Sequence, residues 1–246
     1  MLLLLPPSET KRGGGEMGSS LDLAALSFPE LTAQRTAALS ALRGISKSVA
    51  ASTAALGLGP TQRFEIDRNR AVAGSPTMPA IERYTGVLYD AIDIGSLDDR
   101  ARSYLARTVA IHSALFGLIR ADDPVPAYRF SHDTRLSGTS LSKLWREANS
   151  GVLAAQAGLV LDLRSESYLH LGTAGKGSYF LRVVTEDGAG TKRALNHFNK
   201  HGKGELVRAL ATAGIDFESV NELLAWARST GMRLECGAAD ELDLVV

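Results

Sequence analysis

Arginine, tyrosine and aspartate crowd one short segment of this chain. Residues 114–130 run from the apolar Ala114-Leu115-Phe116-Gly117 into Arg120, Asp122, Asp123, Tyr128 and Arg129, with Pro124 and Pro126 between them. Guanidinium groups make paired, charge-assisted bonds, so Arg120 and Arg129 beside Tyr128 form a candidate anion grip. A second basic run holds Lys192, Arg193, Lys200, Lys203 and Arg208, with His197 and His201 among them and Glu205 as its acid. Gly202 and Gly204 flank Lys203 where a strand is expected to give way to a helix, and a glycine-bearing helix start presents free N–H groups to anions. The plain alternative is a solvated basic patch.

Two more clusters could bind. Residues 55–63, Ala-Leu-Gly-Leu-Gly-Pro-Thr-Gln-Arg, end one helix and begin another around Gly57 and Gly59. The pattern resembles a helix-hairpin-helix element, in which backbone amides meet DNA phosphates without reading sequence. Thr61, Gln62 and Arg63 would extend that surface, and Arg68 and Arg70 follow. The competing reading is a glycine that only caps a helix. In Asp162-Leu163-Arg164-Ser165-Glu166-Ser167-Tyr168, Ser165 and Tyr168 are placed to donate hydrogen bonds beyond a strand end, and no Gly-x-Ser-x-Gly nucleophile turn is present. Ser8, Thr10 and Lys11 stand at the same kind of position after the first strand, where α/β proteins hold ligands.

Other chemistries are disfavoured. The five histidines lack cysteine partners and the His-Glu-x-x-His spacing, so no metal site and no cofactor are expected. Gly13-Gly14-Gly15 lacks the spacing of a phosphate loop and reads as a flexible surface connection. Cys236 is the single cysteine, which excludes an internal disulfide and fits a reducing, cytoplasmic setting. Lying in an apolar stretch, it reads as a core thiol. Net charge is zero, which excludes a globally basic chain but not a basic face. No apolar run is long enough to span a membrane.

The elements that must position these residues follow from 246 residues that are 45% hydrophobic, enough for one domain over 1–246 with a sizeable core. Residues 2–5, 109–113 and 159–163 read as buried strands. Residues 178–185 and 191–197 read as a hairpin around Asp187-Gly188-Ala189-Gly190, and 232–236 and 241–246 as closing strands. Helices are expected over 29–56 with a break near Arg43-Gly44, and over 60–72, 97–108, 140–155, 203–213 and 219–229, with a short one within 81–92. The fold class is α/β (mixed α+β): a single compact domain whose mixed sheet is flanked by helices and carries a basic cleft.

Several stations, in order, resemble the YaaA family of bacterial peroxide-stress proteins. They are Pro7-Ser8-Glu9-Thr10-Lys11, then Tyr84-Thr85-Gly86 with Tyr89, then residues 113–120 running through to Pro126-Ala127-Tyr128-Arg129, then residues 163–168. The stretch from Lys200 to Arg208 matches more loosely. The chain departs from the family pattern at Glu9, where the family has alanine, and at Lys203, where it has arginine. The resemblance implies an α/β fold with a cationic cleft and a helix-hairpin-helix, binding of double-stranded DNA, and limitation of iron-dependent oxidative damage. Carried onto this chain, it implies cleft charge from Lys11, Arg120, Arg129, Lys200, Lys203 and Arg208, and donors from Tyr84, Tyr128, Ser165 and Tyr168. The expected function is duplex binding through Gly57, Gly59, Thr61, Gln62, Arg63, Lys200, Lys203 and Arg208. The alternative is an enzyme acting on a small anionic or nucleotide-like substrate in the same cleft. The two differ in shape: a closed pocket favours a small ligand and an open groove favours DNA. Direct iron binding has little support without clustered ligands.

Overall fold

A computed structural model describes residues 1–188, 191–194 and 199–246. In chain order its strands are β1 (Leu2–Leu5), β2 (Met78–Pro79), β3 (Val109–Ser113), β4 (Gly117–Arg120), β5 (Pro124–Val125), β6 (Val160–Asp162), β7 (Ser178–Glu186), β8 (Lys192–Ala194), β9 (Leu234–Cys236) and β10 (Glu241–Val245). The α-helices are α1 (Thr32–Ser46), α2 (Val49–Leu56), α3 (Phe64–Ala71), α4 (Ala80–Arg83), α5 (Val87–Ile92), α6 (Asp99–Thr108), α7 (Leu141–Ala154), α8 (Glu166–Leu169), α9 (Asn199–Ala213) and α10 (Val220–Ser229).

The main sheet runs β4-β3-β1-β6-β7-β10-β9, with β8 paired to the far end of β7. β1 is parallel to β3 and β6, and β7 is parallel to β6 and β10, while β4, β8 and β9 join antiparallel. The sheet is therefore mixed, as the pattern predicts. Its centre is the most apolar part of the sequence. Leu3, Leu4 and Leu5 are fully buried, as are Val109, Ala110 and Ile111 beside them, because a parallel strand covered on both faces must be apolar on both. From β1 the chain crosses to β3 on one side, and from β6 it crosses to β7 on the other. The sheet reverses its winding between β1 and β6, and a crevice opens beyond the carboxyl ends of such a pair.

Several local expectations change. The break between the first two helices falls at Lys47 and Ser48, where Ser48 Oγ caps α2 by accepting the Ala51 N–H, rather than at Arg43-Gly44. Residues 117–120 form β4, a hairpin return of β3, turned by Gly117 at φ +65°. Gly117 also lies under Trp145, where a Cβ would come within 2.5 Å of the indole. The Gly13-Gly14-Gly15 stretch is pinned. Arg83, fully buried in α4, donates to the Arg12 and Gly14 carbonyls, and a Cβ on Gly15 would meet the Thr77 carbonyl at 2.7 Å. Cys236 is exposed and not a core thiol, because it ends the edge strand β9. The hairpin expected over 178–197 is present as β7 and β8, with Ala189, Gly190 and His197 outside the described residues.

Helix α9 begins by Asn199, earlier than the expected Lys203. Gly202 and Gly204 thus lie inside the helix and do not present free amides at its start. Their purpose is close approach. A Cβ on Gly202 would press on Val183 at 3.2 Å, and one on Gly204 would strike the Leu88 carbonyl and lie 2.7 Å from Ala91 in α5. Glycine weakens a helix interior, so two of them here are explained by what they let pack.

Candidate functional site

The crevice between β1 and β6 holds a pocket of about 570 Å³. Three parts of the fold build its walls. The loop leaving β1 supplies Ser8, Glu9 and Thr10. The segment leaving β6 supplies Ser165, Ser167 and Tyr168. The first turns of α9 supply Asn199, Lys200 and Lys203, and Thr85, Tyr89 and His132 complete the rim and floor.

Lys203 is its central charge. The residue is 3% exposed, its Nζ donates to the Arg164 carbonyl at 3.1 Å, and it lies 5.2 Å from the centre of the Phe180 ring. Burial lowers its pKa to about 8, while Asp162 and Glu166 oppose the shift through space. Among the described residues no carboxylate closes an ion pair with it. Lys200 is exposed at the rim.

Beneath the loop from β1 lies a second buried amine. Lys11 Nζ donates to the carbonyls of Ser8 at 2.8 Å and Glu9 at 3.3 Å and sits 4.1 Å from the centre of the Tyr128 ring. Burial lowers its pKa to about 7; Glu65 works against the shift and Arg129 with it. Behind it runs a hydroxyl chain. Ser113 Oγ accepts the N–H groups of Leu115 and Phe116, so its proton goes to Tyr128 Oη at 2.6 Å, and Tyr128 donates to Tyr84 Oη, also at 2.6 Å. Burial raises the pKa of both phenols, which stay neutral.

The expected site residues therefore divide. Lys203, Lys200, Ser165 and Tyr168 line the pocket together. Lys11, Tyr84 and Tyr128 form the layer behind it. Arg129 is 8% exposed and bound by Glu9 at 2.6 Å, so the acid that departs from the family pattern neutralises an arginine of the expected cleft. Arg120 stands apart: it pairs with Ala110 toward the amino end of β3, away from the strand ends that frame the pocket. Its guanidinium donates to the Arg107 carbonyl at 3.0 Å and stacks on Phe28. Arg208 is tied to the end of α5 through the Ile92 carbonyl at 2.8 Å and Ser96 Oγ at 2.8 Å. Asp123 accepts from Ser27 and from the Arg120 N–H, so it fastens a loop.

The glycine turn also differs from its expected use. Gly57 adopts φ +61° as the cap of α2, and its N–H and that of Leu58 both bond the Thr53 carbonyl. Gly59 N–H bonds Gln62 Oε1 at 2.9 Å. The N–H groups of Gly57, Leu58 and Gly59 are therefore engaged within the turn itself. Thr61 and Arg63 are exposed beside them, and none of residues 57–63 lines the pocket.

A buried ionic layer escapes sequence reasoning. Arg164, fully buried, grips Asp162 through Nε at 2.9 Å and Nη2 at 2.6 Å, and its Nη1 donates to His112 Nδ1 at 2.7 Å and to the Gly172 carbonyl at 2.7 Å. Since arginine only donates, Nδ1 of His112 is an acceptor; burial, with Arg164 nearby, holds its pKa well below the usual value. Three histidines that are scattered in the sequence gather near Tyr168: His132 edge-on at 5.2 Å, His112 at 5.9 Å, and His170 beside His132 at 6.3 Å. Among the described residues no group of His, Cys, Asp and Glu could hold a metal ion, and no helix is long and apolar enough to cross a membrane.

Comparison with known proteins extends the picture to the whole chain. A family model described as peroxide stress protein YaaA matches residues 1–235. A UPF0246 protein of Corynebacterium efficiens is 42% identical over 253 residues, covering 100% of both chains. One from Corynebacterium glutamicum is 41% identical over 240 residues, covering 96% of this chain and 95% of its own. One from Streptomyces coelicolor is 39% identical over 244 residues, covering 97% and 93%.

Proposed function

The chain belongs to the peroxide stress protein YaaA family, and from that premise we propose that it serves the stress response by holding a small anionic ligand in the pocket between β1 and β6. Lys203 carries this reading. An ammonium group taken out of water without a counter-ion is costly, and it is relieved by an anion or by losing its proton. Lys203 Nζ bonds the Arg164 carbonyl, so an ammonium there keeps further N–H donors for a ligand. A pocket of about 570 Å³ is of the size that holds a small metabolite. The test is thermal unfolding with a panel of phosphorylated and carboxylated metabolites, on the native protein and on Lys203→Met. At least one anion should raise the melting temperature of the native protein, and Lys203→Met should abolish the rise. No shift across the panel would defeat the reading.

Duplex DNA is the second reading, favoured by the exposure of Lys200, Thr61 and Arg63. With the Gly57, Leu58 and Gly59 amides engaged internally, the exposed side chains would carry most of the contact, and affinity would fall steeply with salt. A salt titration of duplex binding beside a Lys200→Ala/Arg63→Ala variant decides it: a shallower slope in the variant supports DNA contact, and no binding at low salt excludes it.

A further inference from the structure

The pocket's lining, taken with the anionic-ligand reading on which the assignment rests, narrows the class of ligand. The pocket presents three chemistries. The first is charge, from Lys203 and Lys200 on α9. The second is a dense set of hydroxyls on three loop segments. Thr85 Oγ1 donates to Thr10 Oγ1 at 3.1 Å, and Ser8 Oγ lies 3.2 Å from the same Thr10 oxygen. Ser165 and Ser167 pair at 2.9 Å on the segment from β6. These hydroxyls bond mainly one another, and paired hydroxyls can re-aim toward a polyol. The third is aromatic: Tyr168 with the ring of His132 edge-on at 5.2 Å. The hydroxyl of nearby Tyr89 is committed to the Pro6 carbonyl at 2.7 Å, which leaves its ring as the surface offered.

One further atom constrains the choice. Among the described residues Asn199 Oδ1 finds no hydrogen-bond partner, in a residue that lines the pocket one turn before Lys203; the oxygen is covered as the side chain stands, so a ligand reaches it once the Asn199 side chain turns. A buried acceptor without a donor is uncommon in folded proteins. A simple anion would satisfy Lys203 and leave Asn199 Oδ1 orphaned. A ligand that carries a hydroxyl close to its anionic group would satisfy both. Sugar phosphates meet that demand, and the ring wall adds a place for a planar group.

We propose that this pocket binds a nucleoside monophosphate, with the phosphate on Lys203 and Lys200, the sugar hydroxyls among Asn199 and the serine and threonine side chains, and the base against the His132–Tyr168 edge. The volume lies within the range of about 300–1,000 Å³ usual for such ligands. A larger polyphosphate chain is not required by the charges present.

Calorimetric titration of the full chain tests the assignment with four probes: the nucleoside 5′-monophosphates, the matching nucleosides, ribose 5-phosphate and inorganic phosphate. At least one nucleotide should bind about tenfold or more tightly than its nucleoside and than ribose 5-phosphate. Lys203→Met should bring the nucleotide down to the nucleoside's affinity. His132→Ala, a substitution of a partly exposed side chain, should bring it toward that of ribose 5-phosphate, and a single cooperative unfolding transition for each variant checks that it is folded. Ribose 5-phosphate binding as tightly as every nucleotide would overturn the nucleotide assignment and leave the anionic pocket standing. Failure of all anionic probes, here and across the metabolite panel, would overturn both.

Discussion

Buried cations, with and without a partner, set what single residues do here. Lys11 has a pKa of about 7 in the fold against its ordinary 10.5. Between those values the unfolded chain holds the extra proton, so stability rises with pH across the window, and the penalty for burying Lys11 is complete below about 7. In urea unfolding the native protein should therefore gain on Lys11→Met as pH rises from about 7 to 10. A constant difference would mean that Lys11 keeps its proton throughout. Arg164 is the opposite case, a charge whose partner is in place. Replacing it by methionine leaves Asp162, 3% exposed, without its counter-ion. The expected loss is about 3–5 kcal/mol of unfolding free energy, measured by the same method. The sequence exposed the lysines but not this arginine. Arg164 follows an apolar strand and precedes a polar turn, so its charge reads as solvent-facing until Asp162 and His112 are seen to surround it. Arg35 carried a better signal: it shares a helical stripe with Ala38 and Leu42, and all three are fully buried.

At the scale of elements, the parallel centre of the sheet was legible because strands covered on both faces must be apolar throughout, and Leu2–Leu5, Val109–Ser113 and the strand at 160 announce themselves that way. The return strand β4 was not, since its arginine and its glycine start mimic a loop. The glycines of α9 were misread for a related reason: the absence of a side chain cannot tell freedom from crowding. Two substitutions separate those meanings. Gly57→Ala meets no neighbour within 4 Å and suffers only from φ +61°. It should cost about 1–2 kcal/mol and leave ligand binding intact. Gly204→Ala drives a methyl into the α5 backbone and Ala91. It should cost more than Gly57→Ala, by the overpacking penalty of about 1–3 kcal/mol or above, and should also weaken anion binding, because α9 carries Lys203. Equal melting temperatures for the two variants would contradict the tight α5–α9 seam.

For the molecule as a whole, the place of the site followed from topology more than from charge. The sequence marked six cations for one cleft, and the fold gathers Lys200 and Lys203 in it, sets Lys11 and Arg129 behind it, and sends Arg120 and Arg208 to other duties. Separation along the chain says nothing about which end of a strand a residue reaches, and Arg120 shows this: its hairpin carries it back toward the amino end of β3. The pocket walls nonetheless come from segments about 190 residues apart, the Ser8 loop and the Lys203 helix. One contact governs how those walls can move. Gly204, next to Lys203, rests against α5, which begins just after Gly86 on the hydroxyl-bearing side of the pocket. The Lys203 amine on α9 and the Thr85 hydroxyl just before α5 are thus held at a set spacing by two welded helices. Their spacing works as a gauge of fixed jaw, so a change in what fits there has to come from the side chains on the jaw rather than from its opening.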